Sequence, residues 1–180
     1  MSRHATPGKV LLLLVTIFAA LTPVFGWSNG ENSSYSKGDM LGSAGIGIYH
    51  LGVFAAFDYG IHDCISAGAA VGFNSYSKQV GIRVNQVPLM VRAAFHPFNL
   101  AVLADKIIIR DMVDVYVGLS TGWVFRWQKT EYINAPNDTH PGLGLREYIG
   151  LRYHFTDKLG LFVEDCGEIA TIALGVTYKF

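Results

Sequence analysis

Eight charged or imidazole side chains fall on the polar phase of alternating segments: Asp58, Arg92, Asp114, Arg126, Arg146, Arg152, His154 and Glu164. Such groups can do two kinds of work. They can neutralise one another as buried ion pairs, or they can line a gated path in which Arg–Glu partners swap. The ion-paired reading is preferred, because interior charge without a partner is so costly. A second set could do covalent chemistry: His50, Ser75, Ser77, Ser120, Asp138, His140, Glu164, Asp165 and Glu168. Catalysis of that kind needs a nucleophile and a base, or paired carboxylates, within hydrogen-bond reach. These residues show no motif spacing, so the chain is read as not an enzyme. The histidines at 4, 50, 62, 96, 140 and 154 lack metal-ligand spacing. No metal and no cofactor is expected.

The elements that position these groups alternate with a period of two, which argues for strands against helices. Segments 40–49, 53–61, 64–74, 84–95, 113–126, 143–155, 158–164 and 172–180 each carry an apolar row. The cleanest row is Val113, Val115, Val117, Leu119, Thr121, Trp123 and Phe125. Sixth-strand Ile149, Leu151, Tyr153 and Phe155 form another, and Ile172, Leu174, Val176, Tyr178 and Phe180 form the last. The opposite faces carry glycine, alanine and serine, with the charged groups and Phe54, Tyr116, Tyr148 and Phe162 among them. Small residues there leave room for the large ones, as the filled interior of a narrow barrel requires. Arg146 and Arg152 on the sixth strand would neighbour Glu164 on the seventh.

Eight is the smallest regular count for a membrane barrel, and an even number returns both termini to one side. Short connections at 60–63 and 156–158 alternate with longer ones at 74–81 and 128–142, the asymmetry of periplasmic turns and outer loops. The long apolar connection 96–112 breaks this rule; it fits a short interfacial helix followed by an extension of the fifth strand. Aromatics Phe57, Tyr59, Phe95, Tyr153, Phe155, Tyr178 and Phe180 gather at one set of strand ends, and Phe73, Trp123 and Phe125 at the other. Two interfacial girdles are what a membrane barrel requires. Pro88 lacks a donor for the ladder, so a bulge is expected near 86–89.

Residues 1–26 read as a signal peptide: Arg3 and Lys9, an apolar core to Ala20, then Val24-Phe25-Gly26. Pro23 and Gly26 leave the run shorter than the ~20 apolar residues of a span. Residues 27–38 are then a periplasmic N-terminal segment and 39–180 the barrel domain. The chain has 14 basic and 14 acidic residues. Loss of Arg3 and Lys9 leaves 12 against 14, a mature charge of −2 that attracts no nucleic acid. Cys64 and Cys166 fall at opposite ends of this arrangement, too far apart for a disulfide.

The stretches Val53-Phe54-Ala55-Ala56-Phe57-Asp58-Tyr59-Gly60, Asp114-Val115-Tyr116-Val117-Gly118, Ile149-Gly150-Leu151-Arg152-Tyr153-His154-Phe155 and Leu161-Phe162-Val163-Glu164 resemble small porin-like outer membrane β-barrel proteins of Bacteroidetes type. In architecture the chain is similar to OmpA/OmpX-type barrels. The terminal row Ile172, Leu174, Val176, Tyr178 and Phe180 resembles the signal read by the barrel-assembly machinery. The chain departs from many relatives at Asp165-Cys166-Gly167-Glu168, where they carry a glycine pair. The resemblance implies an all-β, eight-stranded antiparallel up-and-down transmembrane barrel in the bacterial outer membrane, with periplasmic termini. Its partners would be outer membrane lipids, lipopolysaccharide and, during biogenesis, the assembly machinery. The role expected is structural or surface-interacting, with the lumen largely plugged by the polar network. A narrow porin-like channel and an outer-rim lipid- or peptide-modifying enzyme are the alternatives. An extracellular ligand is not specified, although loop 128–142, with Tyr132, Ile133 and Pro136, is placed to contact one.

Overall fold

The protein is described by a computed structural model for residues 34–48, 51–100, 107–130, 139–165 and 172–180. The segment 1–26 expected to be a signal peptide, His50, the stretch 101–106, the stretch 131–138 with Tyr132, Ile133, Pro136 and Asp138, and Cys166 and Glu168 lie outside these residues.

Among the described residues eight strands form: β1 (Met40–Gly47), β2 (Leu51–His62), β3 (Ile65–Gln79), β4 (Ile82–Phe95), β5 (Val113–Thr130), β6 (Thr139–His154), β7 (Leu159–Asp165) and β8 (Ala173–Lys179). Each pairs antiparallel with the next, and β1 pairs with β8 to close the barrel. Closure is tight where Gly45 faces Gly175, since a Cβ on either would strike the backbone of the other strand. Ser43 and Thr177 add a buried hydroxyl bond of 3.2 Å across the same seam.

The two-residue alternation sorts the wall into two faces, as pleated geometry demands. Outward rows are exposed: Val117, Leu119, Trp123 and Phe125 on β5, Leu143 and Leu145 on β6, Val176 and Tyr178 on β8. Inward positions are buried, and on β4 the alternation is strict from Met90 to Phe95. Four outward-phase residues of one sector depart from this pattern: Val113, Leu151, Tyr153 and Val163 are covered, so Tyr153 is not an exposed girdle residue. Ile172 also departs from its row. It precedes β8, is buried, and its carbonyl accepts the Ile48 N–H at 2.8 Å.

Several expectations about connections are corrected. β3 and β4 run on to a turn at Val80–Gly81, where Gly81 takes φ +77°, a conformation that favours glycine. Most of 74–81 is therefore hairpin and not loop. β5 and β6 likewise extend to Thr130 and back to Thr139. Pro88 causes no bulge. Its pairing with Val124 on β5 is in unbroken register. Towards β3 the paired residues skip from Val71↔Leu89 to Asn74↔Gln86, three residues on along each strand, so nothing is inserted. The intervening positions, Gly72 and Phe73 against Pro88 and Val87, are left unpaired, and that gap accommodates a residue with no N–H. In the connection after β4, short 3₁₀ turns form at Pro97–Asn99 and Ile108–Asp111, and β5 starts only at Val113.

Inside, Phe54, Ala56, Ala70, Met90, Val124, Phe162 and Ala173 make one apolar cluster. On β2 to β5 these side chains lie farther from the termini than the charged ones do. The lumen is thus packed with hydrocarbon on one side of its ions.

Candidate functional site: the ion-filled lumen and its cap

Five of the sequence-selected residues meet in one network that crosses the lumen. Arg92 on β4 donates from Nη1 and Nη2 to Glu164 on β7, at 3.0 and 2.9 Å, a bidentate fork. Its Nε lies 3.0 Å from Asp58 Oδ1 on β2 and donates to Tyr148 Oη at 3.2 Å. Arg152 on β6 donates to Asp114 Oδ2 on β5 at 3.3 Å and to Asp58 Oδ2 on the opposite wall. Tyr116 Oη donates to Glu164 Oε2 at 2.7 Å. Each guanidinium also lies 4.1 Å from an aromatic centroid, Arg92 over Tyr148 and Arg152 over Tyr116. Such stacking adds about 0.5–2 kcal/mol at desolvated sites. Every member is buried, Arg152 to 1% exposure.

The pairing differs from strand adjacency. Glu164 sits in register with Gly150, and Arg152 with Phe162, so Arg152 binds Asp114 and Asp58 and leaves Glu164 to Arg92. Gly150 is the reason Tyr116 can reach Glu164: a Cβ there would overlap the phenol ring. The other three selected residues stay apart. Arg126 donates from Nε to Gln86 Oε1 at 3.2 Å, farther along β5 towards the end remote from the termini. Arg146 is exposed. His154 is buried in the next inward position after Arg152, and among the described residues neither its ring nitrogens nor Arg152 Nε has a hydrogen-bond partner.

A second layer closes the mouth nearest the termini. Tyr35, 1% exposed, stacks on His96 with ring centroids 3.7 Å apart and planes 5° from parallel. Its Oη donates to Ile65 O at 2.7 Å and lies 3.2 Å from His62 O. Asn99 Nδ2 holds the Tyr35 carbonyl at 2.9 Å, Ser34 Oγ donates to Arg110 O at 2.6 Å, and Lys37 N donates to Asp63 Oδ1 at 3.0 Å. Asp39 then pairs with Lys179 at 2.6 Å. Residues 34–39 are therefore a strap across the mouth, held to the barrel at each step. Burial raises the Tyr35 phenol above its ordinary pKa, with the charge of Asp114 acting in the same direction. Burial also raises the free Cys64 thiol in the adjacent turn, with Asp63 a further cause.

Beneath the strap, His96 Nδ1 lies 2.7 Å from Asp114 Oδ1 and Nε2 lies 3.0 Å from Ser66 Oγ. With the ring neutral, the tautomer that satisfies both contacts donates from Nδ1–H to the carboxylate and accepts at Nε2 from the serine hydroxyl. The order serine–imidazole–carboxylate is that of an activated nucleophile. All three residues are buried and Tyr35 covers the ring, so no substrate fits against Ser66 in this conformation. Here the imidazole links the strap to the ions. His96, Ser66 and Tyr35 were not selected from sequence. The signal for the first two was present: Ser66 lies in the inward phase of β3, and His96 follows Arg92 and Ala94 in that of β4.

No family model matches the sequence, and no curated protein matches it. Solved structures do. The outer membrane protein OprG from Pseudomonas aeruginosa is similar at a TM-score of 0.53 and 12% identity, over 81% of this chain and 97% of that one. A de novo designed transmembrane β-barrel gives 0.49 at 12% identity, over 81% and 98%. The N-terminal β-barrel domain of OprF from Pseudomonas aeruginosa gives 0.48 at 14% identity, over 80% and 98%. The likeness to OprG is one of fold: a closed eight-stranded antiparallel barrel like those of outer membrane proteins.

Proposed function

We propose that this chain is a bacterial outer membrane barrel, allied to the porin-like barrels of Bacteroidetes type, with a sealed lumen and a structural or surface-interaction role. The observation that carries the reading is the Arg92–Glu164–Asp58–Arg152–Asp114 network, which ties opposite walls together where a solute would have to pass. The apolar cluster around Met90 and Val124 supports it, because a conducting path would have to part packed hydrocarbon as well as ions. The exposed apolar wall supports the membrane setting. Residues 1–26 act as the export signal, and Leu174, Val176, Tyr178 and Phe180, with Ile172 before them, are presented to the assembly machinery. The termini face the periplasm, and the wall contacts outer membrane lipids and lipopolysaccharide. Its work is not catalytic.

Planar-bilayer recording of the purified protein tests the sealed lumen. The expected trace shows negligible current. Stable unitary conductance would overturn the sealed reading in favour of the narrow channel, and turnover of a lipid or peptide substrate would favour the rim enzyme.

A further inference from the structure

Every strand junction of the barrel but one is backed by the chain, because each strand leads directly into its neighbour. The exception is the seam where β1 meets β8, from Leu41↔Lys179 to Gly47↔Ala173. No turn connects those strands, so nothing covalent limits how far they part once the ladder opens. Local opening begins where ties are fewest, and in this closed wall that place is the seam.

The strap supplies the missing tie. It runs straight into β1, since Asp39 precedes Met40, so whatever holds residues 34–39 also holds that end of the strand. Towards β8, the Asp39 carboxylate lies 2.6 Å from Lys179 Nζ, with both side chains only 17% exposed. The same Oδ2 accepts the Ser36 N–H at 2.7 Å, so the turn that shapes the strap and the grip on β8 share one atom. Gly38 makes that turn at φ +88°. Towards β2, Gly38 N donates to Gly60 O at 2.8 Å and Gly60 N donates to Asp39 O at 2.9 Å. The wall is cut to admit the strap here, because a Cβ on Gly60 would lie 2.4 Å from Ser36 O. Farther along, Asn99 and Arg110 hold Tyr35 and Ser34 to the connection between β4 and β5.

Two ways of opening the seam are thereby resisted. Swinging β8 outward breaks the Asp39–Lys179 pair. Swinging β1 outward with β2 drags the strap off Asn99 and Arg110 and pulls Tyr35 from its stack on His96. We propose that residues 34–39 are a latch on the β1–β8 seam, with Asp39 and Lys179 as its catch. The latch lowers the frequency with which the first and last strands part. It rests on the closed fold and not on the membrane setting.

Hydrogen exchange of the purified protein in neutral detergent, read by mass spectrometry, tests it. Peptides from β1 and β8 report the seam, and those from the parts of β4 and β5 remote from the strap serve as the internal control. Lys179→Met removes the catch and keeps most of the side-chain stem. It should raise exchange across the seam about tenfold, the scale of a largely buried ion pair, and leave the control unchanged. Lys179→Arg should match the wild type. Asp39→Asn should repeat the effect from the strap's side, and the double variant should be no faster than the faster single, as partners in one interaction require. Tyr35→Ala separates a latch from a local ion pair. Its anchors are Ile65, His62, His96 and Asn99, yet it should loosen the seam as well. A seam unchanged by Tyr35→Ala or by Lys179→Met, a control that rises as much as the seam, or additive effects of Asp39→Asn and Lys179→Met would each overturn the latch. Should Lys179→Met fail to fold, Asp39→Asn and Tyr35→Ala decide the matter by the same readout.

Discussion

Replacing Arg92 by methionine should be the most damaging single change in the lumen, and the structure sets its scale. The variant loses the fork to Glu164, the contact to Asp58 and the bond to Tyr148 together. With His96 left out of the count, the native network sets Asp58, Asp114 and Glu164 against Arg92 and Arg152, a surplus of one negative charge. Without Arg92 the surplus becomes two. Removing one partner of a buried ion pair costs about 3–5 kcal/mol. Glu164→Gln is a much smaller insult. It leaves two carboxylates against two guanidiniums, and the amide oxygen still accepts from Tyr116 or Arg92. Trading a charge-assisted bond for a neutral one costs about 1–1.5 kcal/mol. Urea unfolding in lipid vesicles, followed by tryptophan fluorescence and by the unboiled gel band, reads both. With a slope of about 1–3 kcal/mol/M, the midpoint should fall by about 1–5 M for Arg92→Met, and by half as much or less for Glu164→Gln. The double variant restores the native surplus and should be more stable than Arg92→Met alone, a coupling that a double-mutant cycle isolates. Equal losses in the two single variants, or a double variant worse than their sum, would refute the charge-balance argument.

Three further outcomes follow from the wall and the strap. In a Cys166→Ser background, Tyr35→Ala should speed maleimide labelling of Cys64, because it frees the turn that the Tyr35 hydroxyl spans and relieves the burial that raises the thiol; each unit of pKa recovered multiplies the thiolate about tenfold. An unchanged rate would show that the strap does not guard the mouth. Val91→Arg, facing out at mid-wall between Ala69 and Thr121, should cost about 2–4 kcal/mol, whereas Leu143→Arg nearer the rim should cost about 0–1; folded yield in vesicles compares them, and equal effects would contradict the assigned depth. Gly150→Ala should cost about 1–3 kcal/mol by overpacking against Tyr116, and thermal unfolding that matches the wild type would mean the ring has room to move.

Phase was legible in the chain because it needs only a count of two. The exposed rows through Leu119 and Val176, the buried charges of β2, β4, β5, β6 and β7, and the closed eight-stranded architecture all follow from that count and from the terminal strand. Strand ends were less legible. Polar residues such as Ser75, Ser77 and Gln128 read as loop, but beyond the hydrocarbon a strand gains nothing from apolar side chains and its ladder continues regardless. Pro88 misled for a related reason. A proline requires a bulge only where the ladder must be complete, and the barrel tolerates a short gap opposite Gly72. The strap was hidden altogether, since Tyr35 in a polar run has no periodicity to betray it.

Partner choice inside the lumen was the least legible of all, and the reason is geometric. Adjacency along the wall suggested Arg152 with Glu164, yet Arg152 reaches across to Asp58 and Glu164 receives Arg92 from three strands away. On the outside of a barrel, curvature spreads neighbouring side chains apart and only the next strand is in reach. On the inside of one this narrow, inward groups converge, and a long guanidinium spans to the far wall as readily as to the near one. Glycines at 68, 118 and 150 sharpen the effect, because side chains occupy the space they leave: the Tyr148 ring lies over Gly118 and the Tyr116 ring over Gly150. The pairing is then decided by which charges are left after the rings have packed. Arg152 lies over Tyr116 and faces Asp114 in register, so Glu164, held by the same tyrosine's hydroxyl, is available to Arg92. A Tyr116→Phe variant probes this order of assembly. It should keep the Arg92–Glu164 fork, in which Oε2 still accepts from Arg92 Nη2, while losing about 1.5–3 kcal/mol for the one hydrogen bond to a charged acceptor. A loss as large as that of Arg92→Met would mean that the hydroxyl, and not the ring, directs the network.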